Sequence, residues 1–451
     1  MMKSELALQG FIAAEWGVLF MADSQSMTRS WSRRKRLTAK LSLVVVGLLV
    51  GLFLAEIALR IMGYSYPVFY MTDVQRGYAL RPSMEGWYRK ENEVYVRINS
   101  DGLRDREHSK TKPPDTLRIA VVGDSYPEAL QVPMENAFWY VMEQRLKECG
   151  AFAGRQVEVI NFGVSGYGTA QELITLRQQV WAYSPDIVML AVTTNNDISD
   201  NSRVLKRTNQ IPYFVFRDGQ LALDDSFLTT RTFRLNNSFL GRTGAWMRDN
   251  LRVIQAIHQA HTALKYYLAS RREQAQKQTG TQTAAAVQPA PAQQKADATP
   301  AAPAEEFGVD HLIYREPSDP VWDDAWRVTE ALILQMRDEV RQHGAQFVLT
   351  TLSNGIQVFP DSKGREDFMK RLGAGDLFYP DRRLKALCER EGISVITLAP
   401  ALQAYADEHK AYLHGFGKEI GSGHWNPLGH RIAGEMLAQE ICKLKSSDEK
   451  Q

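Results

Sequence analysis

The chain has 451 residues, of which 44% are hydrophobic and 24% are charged, and its formal net charge at pH 7 is +2. These proportions are ordinary for a globular protein, so most of the chain is expected to bury a core. A net charge so close to balance gives no support for a nucleic-acid partner. The three cysteines, Cys149, Cys388 and Cys442, are too few and too scattered for a disulfide framework or a zinc site. At most one pair could form, and none needs to.

A basic stretch followed by an uncharged apolar one predicts a membrane-spanning helix near the N-terminus. Six basic residues lie between Arg29 and Lys40, and no charged residue occurs from Leu41 to Ala55. Residues 41–62 reach the length of about 20 residues that a bilayer core of roughly 30 Å requires. Glu56 and Arg60, four positions apart in that span, can pair on one helical face near an interface.

The flanking charges also predict an orientation. The basic residues come before the apolar segment, which places a tail of residues 1–40 in the cytoplasm and the rest of the chain on the periplasmic side of the inner membrane, as a single-pass signal-anchor protein. A cleaved signal peptide would have a similar basic and apolar pattern, but no small-x-small cleavage site follows Ala55. Met21 and Met27 are alternative start positions.

Alternation of apolar runs and amphipathic stretches predicts an α/β domain. A membrane-proximal segment, residues 63–114, precedes it and contains a short strand around Val94–Ile98. The domain itself is expected over residues 115–445, because strand and helix patterns that alternate indicate a parallel sheet with helices on both faces. The five predicted strands are Arg118–Gly123, Val157–Gly163, Asp186–Val192, Ala345–Leu352 and Ile393–Leu398. The predicted helices are Phe138–Cys149, Ala170–Tyr183, Trp326–Gln342 and Asp381–Glu391.

An insertion over residues 199–321 separates the third and fourth predicted strands. Its first part, about 199–267, mixes apolar and basic residues and is expected to form a cap over the sheet. Its second part, about 273–306, consists largely of Ala, Gln, Pro and Thr. Such a segment buries too little apolar surface to offset the entropy of ordering, which predicts a disordered linker.

Four separated motifs suggest one catalytic site. The first, LRIAVVGDSYPEAL (Leu117–Leu130), ends an apolar strand at Gly-Asp-Ser. It is followed by NFGVSGYGT (Asn161–Thr169), TTNNDISDN (Thr193–Asn201) and GHWNPLGH (Gly423–His430). A lone Gly-Asp-Ser occurs often by chance, whereas the four in this order occur together rarely.

In this order the motifs resemble the four blocks of the SGNH/GDSL hydrolases, and the resemblance extends over about residues 94–437 outside the insertion. It implies a three-layer, flavodoxin-like sheet of five parallel strands in the order 2-1-3-4-5. It also implies that Ser125 is the nucleophile and His424 the base. The oxyanion hole would be formed by the backbone N–H groups of Ser125 and Gly166 and by the side-chain amide of Asn196.

Each of these residues also has a purely structural interpretation. Ser125 could cap the helix that follows it, Gly166 could serve only a turn, and Asn196 could bond only its own loop. His430 is predicted to be structural, because Pro427 begins a helix that includes it, while His424 lies in the loop before that helix.

The triad acid is the point at which the chain departs from the family pattern. The family commonly has an aspartate three residues before the catalytic histidine, and that position is Gly421. Glu419, a backbone carbonyl or a Ser-His dyad remain as alternatives, and the acid stays unassigned. No cofactor-binding or metal-binding motif is recognised.

The leading functional prediction is an ester hydrolase that acts on an ester-bearing small molecule, glycan or lipid. The first alternative is an O-acyltransferase that passes the acyl group to a hydroxyl of envelope polysaccharide. The second is a catalytically inactive scaffold that binds glycan, for which the missing aspartate is the one support.

Overall fold

The computed structural model describes residues 33–280 and 311–448. The chain divides into a first unit that ends at Tyr64 and a second compact unit that begins at Ser65. Of the sequence predictions, the tail before residue 33 and most of the proposed linker lie outside the described residues.

Helix α1 (Arg33–Ile61) is the described part of the first unit. Residues 34–61 are apolar and long enough to cross a membrane, by length and composition, with a mean hydropathy of 2.5 in the best window and none of that window buried. A signal sequence near the N-terminus satisfies the same criteria. Arg60 donates from Nε to Glu56 Oε1 at 2.7 Å, the pairing expected from their spacing of four residues.

The second unit is built on five parallel strands. Their spatial order, written by position along the chain, is 2-1-3-4-5, which confirms the sequence prediction. In chain order the strands are β5 (Thr116–Gly123), β6 (Gln156–Asn161), β7 (Ile187–Thr193), β10 (Gln346–Leu352) and β11 (Ser394–Thr397). Every residue of β5 and β7 is buried. Strands buried on both faces read as continuous apolar runs, which is why they are visible in the sequence.

Helices cover both faces of this sheet and make it a three-layer structure. One face packs on α4 (Thr169–Gln178), α10 (Pro320–Gln342), α11 (Ser362–Leu372) and α12 (Tyr379–Arg390). The opposite face packs on the helices α3 (Phe138–Lys147), α13 (Ala399–His409) and α14 (Pro427–Asp448). The four helices predicted from the sequence all form, with end points that differ by a few residues.

Two small hairpins precede the sheet. Their strands are β1 (Tyr70–Asp73), β2 (Gly77–Leu80), β3 (Glu85–Tyr88) and β4 (Val94–Arg97). Phe69, Leu80 and Val96 from this segment form an apolar cluster with Val164 and Tyr167, which lie in the loop after β6. The hairpins therefore belong to the same compact unit as the sheet and reach the ends of its strands.

The insertion after β7 contains short helices and one hairpin. Its elements are α5 (Asp197–Asp200), α6 (Arg203–Lys206), β8 (Tyr213–Arg217), β9 (Gln220–Asp224), α7 (Arg231–Asn237), α8 (Phe239–Asn250) and α9 (Arg252–Gly280). Helix α9 continues through residues 273–280, where the sequence analysis began the linker. Glu, Gln, Ala and Lys, which are good helix formers, make up six of these eight residues and account for the difference.

One disulfide joins Cys149, just after α3, to Cys442 on α14, with a Cα–Cα distance of 6.2 Å. Cys388 is free and buried. The two helices that the disulfide links pack side by side on the same face of the sheet.

Candidate active site

Ser125 is the first residue of a short helix, α2 (Ser125–Glu128), which follows directly on β5. Asp124, not Ser125, caps this helix, because its Oδ1 accepts the Tyr126 N–H at 3.1 Å. Gly123 leaves no room for a side chain: a Cβ there would lie 2.8 Å from the Ala191 carbonyl oxygen. This tight turn delivers the Ser125 hydroxyl to the carboxyl end of the sheet, free of the capping role considered from the sequence.

His424 lies in the loop before α14, as predicted, and faces Ser125. Its Nε2 is 2.8 Å from Ser125 Oγ. The helix begins at Pro427, and Asn426 caps it by accepting the N–H groups of Leu428 and Gly429 at 3.0 Å. The loop is therefore fixed at its C-terminal end by an ordinary N-cap.

A second histidine, His414, holds the other side of this loop. It is buried, and its Nδ1 donates to the Gly423 carbonyl at 2.7 Å. Its Nε2 must then accept from the Ser353 hydroxyl at 3.0 Å, while Ser353 Oγ accepts the Trp425 indole N–H at 2.8 Å. Burial lowers the pKa of His414 to about 3, so this histidine stays neutral, and its two hydrogen bonds hold the loop in place.

Glu91 is the carboxylate that contacts His424. It lies in the turn between β3 and β4, and its Oε2 and Oε1 are 2.8 and 2.9 Å from His424 Nδ1. Glu91 Oε1 also accepts from Tyr88 Oη at 3.2 Å and from Gln131 Nε2 at 3.3 Å. Because a carboxylate accepts, Nδ1 of a neutral His424 carries the proton and Nε2 is left to accept from Ser125.

Glu91 and His424 shift each other's pKa. Burial opposes both charges, but the hydrogen bonds and attraction between the two groups outweigh it. The pKa of Glu91 is therefore lowered and that of His424 is raised above its usual 6.5. The ion pair favours the imidazolium form, which is the form a base adopts when it takes a proton from serine.

Gly166 lies in the loop after β6 with a φ of +75°, a conformation that favours glycine. A Cβ at this position would also lie 2.8 Å from Tyr78 Oη. The loop is held from two directions, since Tyr78 donates to the Ser165 carbonyl at 2.8 Å and Lys206 to the Gly166 carbonyl at 3.2 Å. Among the described residues, the Gly166 N–H has no protein acceptor.

Asn196 lies just after β7, where the sheet order brings it beside β5. Its side-chain amide donates to Asp124 Oδ2 at 3.2 Å, and the Ser125 hydroxyl lies 3.3 Å from the same oxygen. The amide also donates to Asp200 at 3.2 Å. The structure therefore brings Ser125, Gly166, Asn196 and His424 to one end of the sheet.

Buried carboxylates surround this end of the sheet. Burial raises the pKa of Glu128 to about 7, although Tyr70 donates to both of its oxygens at 2.9 Å. Burial also raises the pKa of Glu172 and Asp197 well above the usual range for carboxyl groups. The charges of Asp124 and Glu128 add to the rise in the pKa of His424.

Among the described residues, two other candidates predicted from the sequence make no hydrogen bond to Ser125 or His424. His430 is buried in α14, where its Nδ1 accepts the Phe138 N–H at 3.2 Å, and burial lowers its pKa to about 3. Glu419 is exposed on a 3₁₀ turn, and its backbone carbonyl bonds the Ser422 hydroxyl at 3.2 Å. Among the described residues no group of three or more His, Cys, Asp or Glu could hold a metal ion.

The strand order and the convergence of the four motifs on the switch point of the sheet decide the fold. The chain has a three-layer α/β fold, with the sheet order that the resemblance to the SGNH/GDSL hydrolases implies. This is the architecture that the sequence resemblance predicts, and it accounts for the placement of the serine after strand one and of the asparagine after strand three.

Solved structures include similar chains. An acetyl xylan esterase, AlAXEase, is 13% identical, with 72% of this chain and 99% of that one covered and a TM-score of 0.34. Axe2, an acetylxylan esterase from Geobacillus stearothermophilus, is 11% identical over 72% and 94% of the two chains, with a TM-score of 0.33. A G-D-S-L family protein from Desulfitobacterium hafniense is 11% identical over 72% and 98%, with a TM-score of 0.31. No protein-family model and no curated protein matches the chain.

Proposed function

We propose that the protein is a serine-dependent ester hydrolase in which Ser125, His424 and Glu91 form the catalytic triad. The observation that carries the proposal is the chain of contacts from Ser125 Oγ through both ring nitrogens of His424 to the Glu91 carboxylate. A serine hydroxyl is a weak nucleophile, and a base within hydrogen-bond reach activates it. Glu91 orients the imidazole and stabilises its protonated form.

The reaction follows from these contacts. Ser125 Oγ attacks the ester carbonyl carbon as its proton passes to His424 Nε2, and a tetrahedral oxyanion forms. The N–H groups of Ser125 and Gly166 and the amide of Asn196 would bind that oxyanion. Collapse of the tetrahedral intermediate breaks the ester C–O bond. His424 gives the proton to the departing alcohol, and an acyl-enzyme remains. Water, deprotonated by His424, then releases the acid and regenerates Ser125.

Acyl transfer to a glycan hydroxyl is the second candidate, and a cleft beside the loop that holds Gly166 favours it. The cleft has a volume of about 690 Å³, and its lining includes Tyr70, Phe233 and Arg242. Tyr78 lines it as well and also contacts the loop that holds Gly166. Aromatic and polar walls of this kind suit a sugar ring, which could present a hydroxyl in place of water.

The inactive scaffold loses its one support, because the carboxylate of Glu91 stands at His424 in place of the missing aspartate. One assay separates the three possibilities. Incubation of the purified protein with p-nitrophenyl acetate should release p-nitrophenol, and an added glycan should acquire acetyl groups only if transfer occurs. If no p-nitrophenol is released with or without the glycan, the protein is the inactive scaffold.

Removal of an oxyanion donor should slow the chemical step. We expect Asn196→Ala to lower kcat by about 10²- to 10³-fold with little change in KM, because that amide acts mainly in the transition state. The neighbouring Asn195→Ala is the matched control and should leave both constants unchanged. If KM alone rises in Asn196→Ala, the residue binds the ground-state substrate and the oxyanion assignment is wrong.

We also propose that helix α1 anchors the protein in the inner membrane with the second unit in the periplasm. The basic flank before the apolar segment supports this orientation, and so does the Cys149–Cys442 disulfide, since disulfides persist outside the reducing cytoplasm.

The cysteines provide the test of this location. In protein denatured directly from cells without reductant, a maleimide should label Cys388 alone, and it should label all three cysteines after reduction. Labelling of all three before reduction would place the domain in a reducing compartment and contradict the proposed location.

A further inference from the structure

Exposed apolar side chains are concentrated on the helices of the insertion. From Ser65 onward, nine of the sixteen large apolar side chains that are exposed in the described residues fall between 235 and 268, and none falls between 313 and 448. We call this surface the insert face. Its members are Leu235, Phe239, Leu240, Trp246, Met247, Ile257, Leu264, Tyr267 and Leu268. Monomeric soluble domains rarely concentrate apolar exposure in this way without an interaction partner.

The spacing of these residues places exposed apolar side chains along one side of α8. On α8, Phe239 and Trp246 are seven positions apart, as are Leu240 and Met247, so they share one side of the helix. The exposed fractions of Phe239 and Leu240 are 81% and 75%. No residue of α8 is buried. A helix of 12 residues is only marginally stable in water without a surface to pack against.

The segment that carries the insert face is also strongly basic. Residues 231–272 contain eight Arg and Lys and one acidic residue, Asp249, whereas the whole chain has a net charge of only +2. Asp249 is itself paired with Arg81. Helices that combine exposed Phe, Leu and Trp with an excess of Arg are typical of surfaces that lie in the headgroup region of a membrane.

One hydrogen bond ties the helices of the insertion to the start of the second unit. The junction of α8 and α9 is tied to the start of the second unit, because the Tyr66 N–H donates to Gln255 Oε1 at 2.9 Å. Tyr66 follows the last residue of α1, Ile61, by only five positions. Five residues span at most about 17 Å when fully extended. The junction is therefore held at the part of the second unit that follows α1 in the chain.

We propose that the insert face docks on the anionic outer surface of the membrane that α1 crosses, an inference that rests on the membrane location proposed above. The apolar side chains enter the boundary between headgroups and acyl chains, and the Arg and Lys residues contact lipid phosphates. The domain is then held at two points, α1 and the insert face, which fixes its orientation on the bilayer. The lining of the cleft includes Arg242 and Trp246 from α8, so docking also determines how the cleft faces the membrane.

The test uses the full-length protein in nanodiscs with one copy per disc. An environment-sensitive fluorophore is attached to the cysteine introduced by Phe239→Cys. The native cysteines should not react, because Cys388 is buried and the other two form a disulfide. Glu389→Cys, exposed on α12, is the control position. The discs contain either phosphatidylcholine alone or phosphatidylcholine with phosphatidylglycerol, each with and without a nitroxide-labelled lipid.

We expect the label at position 239 to shift to shorter wavelength and to be quenched by the nitroxide lipid in anionic discs, while the label at 389 does neither. Arg231→Glu with Arg234→Glu should reduce that quenching. A label at 239 that stays as accessible to water as the label at 389 would overturn the proposal. So would a wavelength shift without lipid quenching, which would indicate a protein partner, or equal quenching in the two lipid compositions.

Two further readouts separate this inference from the proposals that precede it. Insertion of the protein into nanodiscs tests whether α1 spans a membrane. If the protein does not insert, both the proposed anchor and the proposed docking are wrong. Hydrolysis of p-nitrophenyl acetate by the same samples reports on the active site. Normal capture and normal hydrolysis with a water-exposed label at 239 would overturn the docking alone.

Discussion

Ser125→Ala is expected to reduce kcat for ester hydrolysis by about 10⁴-fold or more, because no other group can accept the acyl chain in the proposed mechanism. The substitution removes one buried hydroxyl whose described contacts are His424 and Asp124. The helix cap is provided by Asp124 and survives the change. Stability should therefore change little. Steady-state kinetics and a thermal melting curve measured on the same preparation test both expectations.

A serine outside the site provides the control. Ser100 is exposed and bonds Glu107, so Ser100→Ala should retain full activity. If Ser125→Ala keeps substantial turnover with an unchanged melting curve, Ser125 is not the nucleophile, and the proposed mechanism is wrong.

Glu91→Gln is expected to lower kcat by about 10³- to 10⁴-fold, a loss comparable to that caused by amidation of the acid in serine-protease triads. A glutamine amide can donate to Nδ1 and so favour the tautomer that carries its proton on Nε2. That tautomer cannot accept the proton of Ser125. The variant keeps the shape of the side chain, and the bonds from Tyr88 and Gln131 to Oε1 can persist.

The pH profile gives a second readout of Glu91. Catalysis requires neutral His424, so kcat/KM should rise with pH through a pKa above 6.5 in the unaltered protein. Loss of the Glu91 charge removes the largest stabilisation of the imidazolium, so the pKa of His424 falls and the acidic limb moves to lower pH. The raised pKa of His424 contributes stability that is fully present below the unfolded pKa of histidine and is lost as pH rises through the raised value. The lowered pKa of Glu91 contributes stability that is present above the unfolded pKa of glutamate and is lost as pH falls through the lowered value.

Glu93→Gln is the matched control, since Glu93 lies two residues away, is exposed and pairs with Arg89. It should leave both kcat and the pH profile unchanged. A Glu91→Gln variant with normal kcat and an unmoved acidic limb would show that His424 works without a carboxylate, as a dyad.

The sequence predicts the sheet well because the relevant signals are local. Strands β5 and β7 are buried over their whole length and read as unbroken apolar runs. Ser125 and Asn196 each follow such a strand directly, so the topology alone brings them together. His424 is predictable because Pro427 and Asn426 mark the start of the next helix.

Glu91 could not be predicted from the same signals. It lies more than 300 residues before His424 and reaches it through the packing of the two N-terminal hairpins against the sheet. No fixed spacing connects a turn in one hairpin to a loop near the other end of the chain. Glu419, the nearby candidate in the sequence, is exposed. The pairing of Cys149 with Cys442, 293 residues apart, is hidden from the sequence for the same reason.

The acyl-enzyme intermediate tests the central claim most directly. Rapid acid quench of the protein during turnover of p-nitrophenyl acetate, followed by peptide mass spectrometry, should find one acetyl group on Ser125. The same experiment with Glu91→Gln should show slower acetylation of the same residue. Acetylation of a different residue, or turnover with no covalent intermediate on Ser125, would contradict the proposed mechanism.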